Sequence, residues 1–161
     1  MKFVFTMLLL AALPLLAQAA LSNDDTTYLT SAIQSQLGRY ALASLAQKNS
    51  DSSRVKSLAK TIATQATAGN RQLTSLAKAN GVAVPTSPSV RFNYHYSELT
   101  GLHGKAFDRE FVQDLSTDDQ LAQGNDQTEM HNGSDPRLKD FAKKRYSSLQ
   151  KELQSLGKIH S

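Results

Sequence analysis

Four long stretches of the chain repeat apolar residues at three- and four-residue steps, the spacing that collects side chains on one face of an α-helix. In the first, Leu29, Ile33, Leu37, Tyr40, Ala41 and Leu45 form the stripe. Ser22 or Asn23 stands where a cap is needed, and Asp24 and Asp25 fall in the first turn, where the helix dipole favours anions. The second stripe is Val55, Leu58, Ala59, Ile62, Ala66, Leu73, Leu76 and Ala77, between a cap region at Asn49-Ser50-Asp51 and Gly81, a residue suited to the left-handed position that ends a helix. The third carries Phe107, Phe111, Leu115 and Ala122 and runs to Met130, before the stop signal Asn132-Gly133. The fourth, capped by Ser134 or Asp135 with Pro136 at a tolerated first position, shows Leu138, Phe141, Ala142, Leu149, Leu153 and Leu156.

Between the second and third stretches, residues 82–89 hold Pro85 and Pro88 and read as a connection. Val90 to Thr100 then reads as a helix of about three turns, rich in aromatics (Phe92, Tyr94, Tyr96) and followed by Gly101 and Gly104. Packing of these rings onto the rest of the molecule is the expectation. The predicted fold is all-α: an antiparallel four-helix bundle with an extra short helix in the long middle connection. No strand pattern competes with it.

The amino terminus changes the picture by placing the chain in a compartment. Lys2, an apolar run from Phe3 to Leu16, and Ala17-Gln18-Ala19 have the layout of a secretory signal peptide cleaved after Ala19. A membrane anchor needs roughly 20 apolar residues, and this run is shorter, so residues 1–19 are expected to be removed and residues 20–161 to form one domain in the periplasm. Loss of Lys2 leaves 17 bases against 14 acids, a formal charge of +3. That value argues against strong attraction to nucleic acid or anionic surfaces, and the bases are scattered as Arg54, Lys56 and Lys60 on one segment and Lys139, Lys143, Lys144 and Arg145 on another. The chain has no Cys, so packing alone must stabilise it, even in an oxidising compartment.

Catalytic patterns are missing. Hydroxyls abound, but none stands in a motif with a base and an orienting group. Asp118-Asp119 and Asp24-Asp25 are adjacent in sequence, so on a helix each pair diverges by about 100°. His95, His103, His131 and His160 show no ligand spacing for a closed zinc site. His131 with Glu129 is at most a half-site at a helix end, and His95 and His103 with Tyr94 and Tyr96 are read as aromatic packing before a pocket.

Three segments carry a resemblance: VKSLAKTIATQATAGNRQLTSLAKANGVAVP, GKAFDREFVQD and DPRLKDFAKK. Together they resemble the exported ferritin-like bacterial family known as domain of unknown function 4142, over essentially the whole chain after residue 19. The resemblance implies a periplasmic bundle without an assigned biochemical role. It also implies inward ligand positions: an acidic residue on the first helix, an Asp-His pair on the second, and a His on each of the last two. Here those positions hold Arg39, Gln65 followed by Ala66, Asp119 and Glu152. None of the expected His residues is present, so no metal and no cofactor is expected. The expectation is instead an internal ion-pair cluster in which Arg39 bridges Asp119 and Glu152, the alternative being that all three lie at the surface. Farther along, the wholly polar run Gln123-Gly124-Asn125-Asp126-Gln127 implies either a locally loose helix or partners such as Arg145, and its weak helix propensity favours looseness.

The functional expectation is a non-catalytic periplasmic bundle of unassigned role acting by protein contacts in the cell envelope or in stress tolerance, with another periplasmic protein as partner, no nucleic-acid partner and no membrane span after cleavage. Two other readings stand beside it: a ferritin-like metal-binding oxidase using Asp119, Glu152 and Gln65, and a periplasmic immunity or inhibitor protein.

Overall fold

The computed structural model describes residues 20–159. The segment read as a signal peptide, 1–19, lies outside the described residues, as does His160. Within them the chain forms α1 (Asn23–Asn49), α2 (Ser53–Ala79), α3 (Val90–Thr100), α4 (Gly104–Asn132) and α5 (Pro136–Gly157), and no strand occurs among the described residues.

The ends of the helices follow from local chemistry. Ser22 and Asp25 form a reciprocal capping box, the Ser22 hydroxyl accepting from the Asp25 amide at 3.1 Å and the Asp25 carboxylate accepting from the Ser22 amide at 3.1 Å. Ser52 caps α2 by accepting from the Val55 amide, one residue beyond the stretch expected to do so. Gly81, at φ 67°, ends α2 in a Schellman motif: the Val82 amide donates to the Ala77 carbonyl and the Gly81 amide to that of Lys78. Asp135 accepts from the amides of Arg137 and Leu138, and Pro136 opens α5.

Short turns at 50–52 and 133–135 fold α1 with α2 and α4 with α5 into two hairpins of long helices, which pack into a bundle. Two apolar clusters hold it together. One joins the C-terminal half of α1 to the N-terminal halves of α2 and α4, with Leu42, Ile62, Phe107, Phe111 and Leu115 at 0% exposure. The other joins the opposite halves of α1 and α2 to the start of α5 through Leu29, Ile33, Leu73 and Leu138. Each such side chain contributes about 1.5–3 kcal/mol by its burial.

The short helix α3 docks across α1 and α4 through Phe92 and Leu99. Its approach to α1 depends on Gly38, where a Cβ would lie 2.1 Å from Phe92 Cγ. The tyrosines of α3 do not pack as expected: Tyr94 and Tyr96 are 59% and 42% exposed, because the face of α3 turned to the bundle runs through Phe92, His95 and Leu99.

Two further expectations are corrected. Tyr40 is 52% exposed; the inward positions of α1 near it are Gln36, Arg39, Leu42 and Ala43, so the buried face passes through polar residues. Nor is α4 loose at Gln123–Gln127. The helix runs unbroken to Asn132, and Asp126 is fully buried against charged and aromatic partners.

Candidate functional site

Between the two apolar clusters lies a layer of buried charge. Arg39 of α1 reaches across the bundle, one terminal nitrogen donating to Asp119 Oδ1 of α4 and the other to both carboxylate oxygens of Glu152 of α5, at 2.8 and 2.7 Å. The three residues are 4%, 0% and 5% exposed. Burial pulls the Arg39 guanidinium down, but the two carboxylates outweigh it and hold the group above its ordinary value. Burial pushes the Asp119 carboxyl well up, Arg39 opposes that, and nearby Glu152 adds to it.

Two turns of α4 further on, the pattern repeats. Arg145 donates from Nε to both oxygens of Asp126, at 2.9 and 3.0 Å, and from Nη2 to Oδ1 at 2.6 Å. The Tyr28 hydroxyl donates to the same Oδ1 at 2.7 Å, and the guanidinium lies over the rings of Tyr28 and Phe141 at 5.5 and 5.7 Å. Burial raises the Asp126 carboxyl, opposed by Arg145 and the hydrogen bonds it receives. A phenol so buried beside a carboxylate is held above its ordinary value too, and stays a donor.

The structure thus brings three of the four sequence-predicted residues together and leaves out the fourth. Gln65 is exposed; its Oε1 accepts from Ser148 at 3.2 Å, on the wall of a cleft of about 250 Å³ between α2 and α5. Position 65 sits on the outer rim of that gap, so its amide cannot reach Asp119 and Glu152 as Arg39 does.

Sequence reading missed two carboxylate pairs. On one side of α4, Asp114 Oδ1 lies 3.0 Å from His95 Nδ1, and Asp118 lies 3.8 Å from Nε2 of the same ring and 2.7 Å from Arg91 Nε. Adjacent Asp118 and Asp119 therefore serve different cations, as their divergence requires. Burial lifts Asp114 to about 6 against the pull of His95, and lifts Asp118 against Arg91 and His95. At the far end, Glu129 is 2% exposed and faces Asp25. Burial, then the Asp25 charge and hydrogen bond, push Glu129 to about 7. Burial also acts on Asp25, but hydrogen bonds from Ser22 and from the amides of Ser134 and Asp135 prevail and hold it below its ordinary range. His131 turns its Nδ1 to the Gln127 carbonyl at 2.8 Å, so it forms no half-site with Glu129. The signal for these pairs was acidic residues at inward helical positions, which a search for apolar stripes passes over.

Among the described residues no group of three or more His, Asp and Glu side chains is arranged to hold a metal ion. The fold and this layer together define a small all-helical bundle centred on buried arginine–carboxylate pairs. The chain belongs to the family described as domain of unknown function (DUF4142), whose model matches residues 10–159. No curated protein matches it. Solved structures that resemble it include a DUF305 fragment from Deinococcus radiodurans, 15% identical with a TM-score of 0.79 over 88% of this chain and 97% of that one. A DUF305 protein from Streptomyces coelicolor, named as a candidate secreted protein, is 12% identical with a TM-score of 0.76 over 84% and 89%. CopM in its Cu(I)-bound form is 15% identical with a TM-score of 0.73 over 89% and 96%. At these identities the likeness is one of fold.

Proposed function

We propose that the chain is a non-catalytic, exported bundle protein of the bacterial periplasm, ferritin-like in architecture, in which an ion pair occupies the place of a metal and whose work is done by binding. The observation that carries this reading is the Arg39 guanidinium seated between Asp119 and Glu152. A buried arginine stays protonated, and here its donors already engage the two carboxylates that a cation would need. A Cu(I) ion like that of CopM calls for soft thiolate or thioether ligands, and the chain has no Cys and, after residue 19, only Met130. Export is supported by the amino-terminal pattern and by the naming of the Streptomyces coelicolor neighbour. No described helix is long and apolar enough to cross a membrane.

Elemental analysis tests this reading, on protein purified without chelator and again after incubation with iron, manganese and zinc. The expected result is no stoichiometric metal and an unchanged melting temperature on adding EDTA. A stoichiometric ion lost in Asp119→Asn overturns it. Cell fractionation is expected to recover the protein, shortened at its amino terminus, from the periplasm.

A further inference from the structure

The cleft between α2 and α5 leads to the charged layer from outside. Gln36 and Arg39 of α1 and Arg145 of α5 line it deep in the bundle, Gln65 and Ser148 stand at its edge, and no carboxylate lines it. Two polar groups here lack partners. Gln36 is 4% exposed, makes no hydrogen bond within the described residues, and lies 3.0 Å from where a Gly69 Cβ would be. Arg145 is 9% exposed, and its Nη1 is buried with nothing to donate to. An unsatisfied buried donor costs about 1–3 kcal/mol, and Arg145 Nη1 is such a donor, while the Gln36 amide keeps a donor without a partner among the described residues at the cleft. Lys144, exposed at the rim, has no ion-pair partner among the described residues. The remaining wall is apolar, with Ala68, Phe141 and Leu149.

We propose that this cleft binds a small organic carboxylate, its anionic end taken by Arg145, Gln36 and Lys144 and its apolar body lying against Phe141 and Leu149. Donors without acids select an anion, the apolar wall selects an organic one over inorganic phosphate, and about 250 Å³ admits a molecule the size of benzoate. Occupancy of the cleft is independent of whether any metal binds at Asp119 and Glu152.

An NMR titration of the folded protein with benzoate, benzamide and inorganic phosphate tests the proposal. Benzoate is expected to give saturable shifts at Gly69, Leu149 and the Gln36 side-chain amide, with benzamide binding about tenfold more weakly because it lacks the charge. Lys144→Glu, at an exposed site, is expected to weaken benzoate about tenfold, and Ala68→Phe, also exposed, to block it by filling the mouth. Absence of saturable shifts, shifts that survive Ala68→Phe, or phosphate or benzamide binding as well as benzoate would each overturn the assignment. Metal analysis on the same sample reports separately on the metal-free reading.

Discussion

Replacing Arg39 by Met removes the one cation between Asp119 and Glu152 while keeping an aliphatic stem of similar reach. Both acids are almost wholly buried, so the variant holds two carboxylates inside the bundle without the cation that offsets them. Breaking a buried pair from one side costs about 3–5 kcal/mol, a large part of the 5–15 kcal/mol that typically holds a domain folded, and lowers the melting temperature by about 10 °C. Arg39→Lys keeps the charge as a single point without the planar fork, so it serves one carboxylate well and loses about 1–3 kcal/mol. The loss in Arg39→Met also depends on pH. Asp119 already titrates above its ordinary range, and without Arg39 it rises further, so the folded state takes up a proton and the gap to wild type narrows as pH falls. Converting the whole set, in Arg39→Met/Asp119→Leu/Glu152→Met, restores stability to within about 1 kcal/mol or exceeds wild type, because no charge is left to desolvate. Urea unfolding followed by far-UV circular dichroism measures all three. A loss below about 1 kcal/mol for Arg39→Met, the range of exposed pairs, with no difference from Arg39→Lys, would refute the internal bridge.

Gly38→Ala is expected to destabilise by about 1–3 kcal/mol, since its Cβ would enter the Phe92 ring, whereas Gly124→Ala, with open space around it, is expected to gain about 1 kcal/mol; thermal melts of the pair test both the docking of α3 and the continuity of α4. Glu129, lifted from 4.5 to about 7, gives stability that is fully present below its ordinary pKa and lost as pH rises through about 7. Glu129→Gln, which keeps a donor toward Asp25 without the charge, is therefore expected to flatten the fall in stability between pH 5 and pH 8 and to exceed wild type at the upper end by on the order of 1 kcal/mol, as read from denaturation midpoints across that range. Tyr28→Phe removes the phenol's hydrogen bond to Asp126 while leaving the Arg145 fork, so a loss of about 1 kcal/mol is expected in chemical denaturation.

Helix positions were legible because each long helix carries its own periodicity and its own punctuation: Ser22 and Asp25 at one start, Gly81 at one stop, Asp135-Pro136 at another. Where the face of α1 was misread, the cause is specific. Joining Ile33 to Leu45 by apolar residues leads through Leu37, Tyr40 and Ala41, whereas the buried path runs through Gln36 and Arg39. A stripe built from hydrophobicity bends around polar residues even where the interior is polar. Arg39, Asp119 and Glu152 were found by likeness to a family's ligand positions, which marks inward sites whatever residue fills them. Gln65 failed by that same route, because a matching position does not guarantee that a neutral side chain placed there still turns inward. His95 with Asp114, and Asp25 with Glu129, join residues 19 and 104 positions apart, and neither pair shares an element whose period could have linked them.

The charged layer also settles how the helices line up. Apolar burial is non-directional, so by itself it separates one register from another less sharply than paired charges do. A slide of α1 by one turn, about 5.4 Å, takes Arg39 off Asp119 and Glu152 and Tyr28 off Asp126 together, and leaves every one of those groups buried without its partner. The penalty falls on wrong registers far more than the layer rewards the right one, which is the use of buried polar groups best supported by their weak net contribution to stability. Such a layer serves that purpose through the groups that are paired in the native register. Here Asp119 Oδ2 and Arg145 Nη1 are buried without a hydrogen-bond partner among the described residues, and Gln36, which makes no hydrogen bond within them, lines with Arg145 the opening between α2 and α5. The paired groups fix the register, and Gln36 and Arg145 stand where the bundle opens, so the same layer that aligns the helices also offers donors to a ligand.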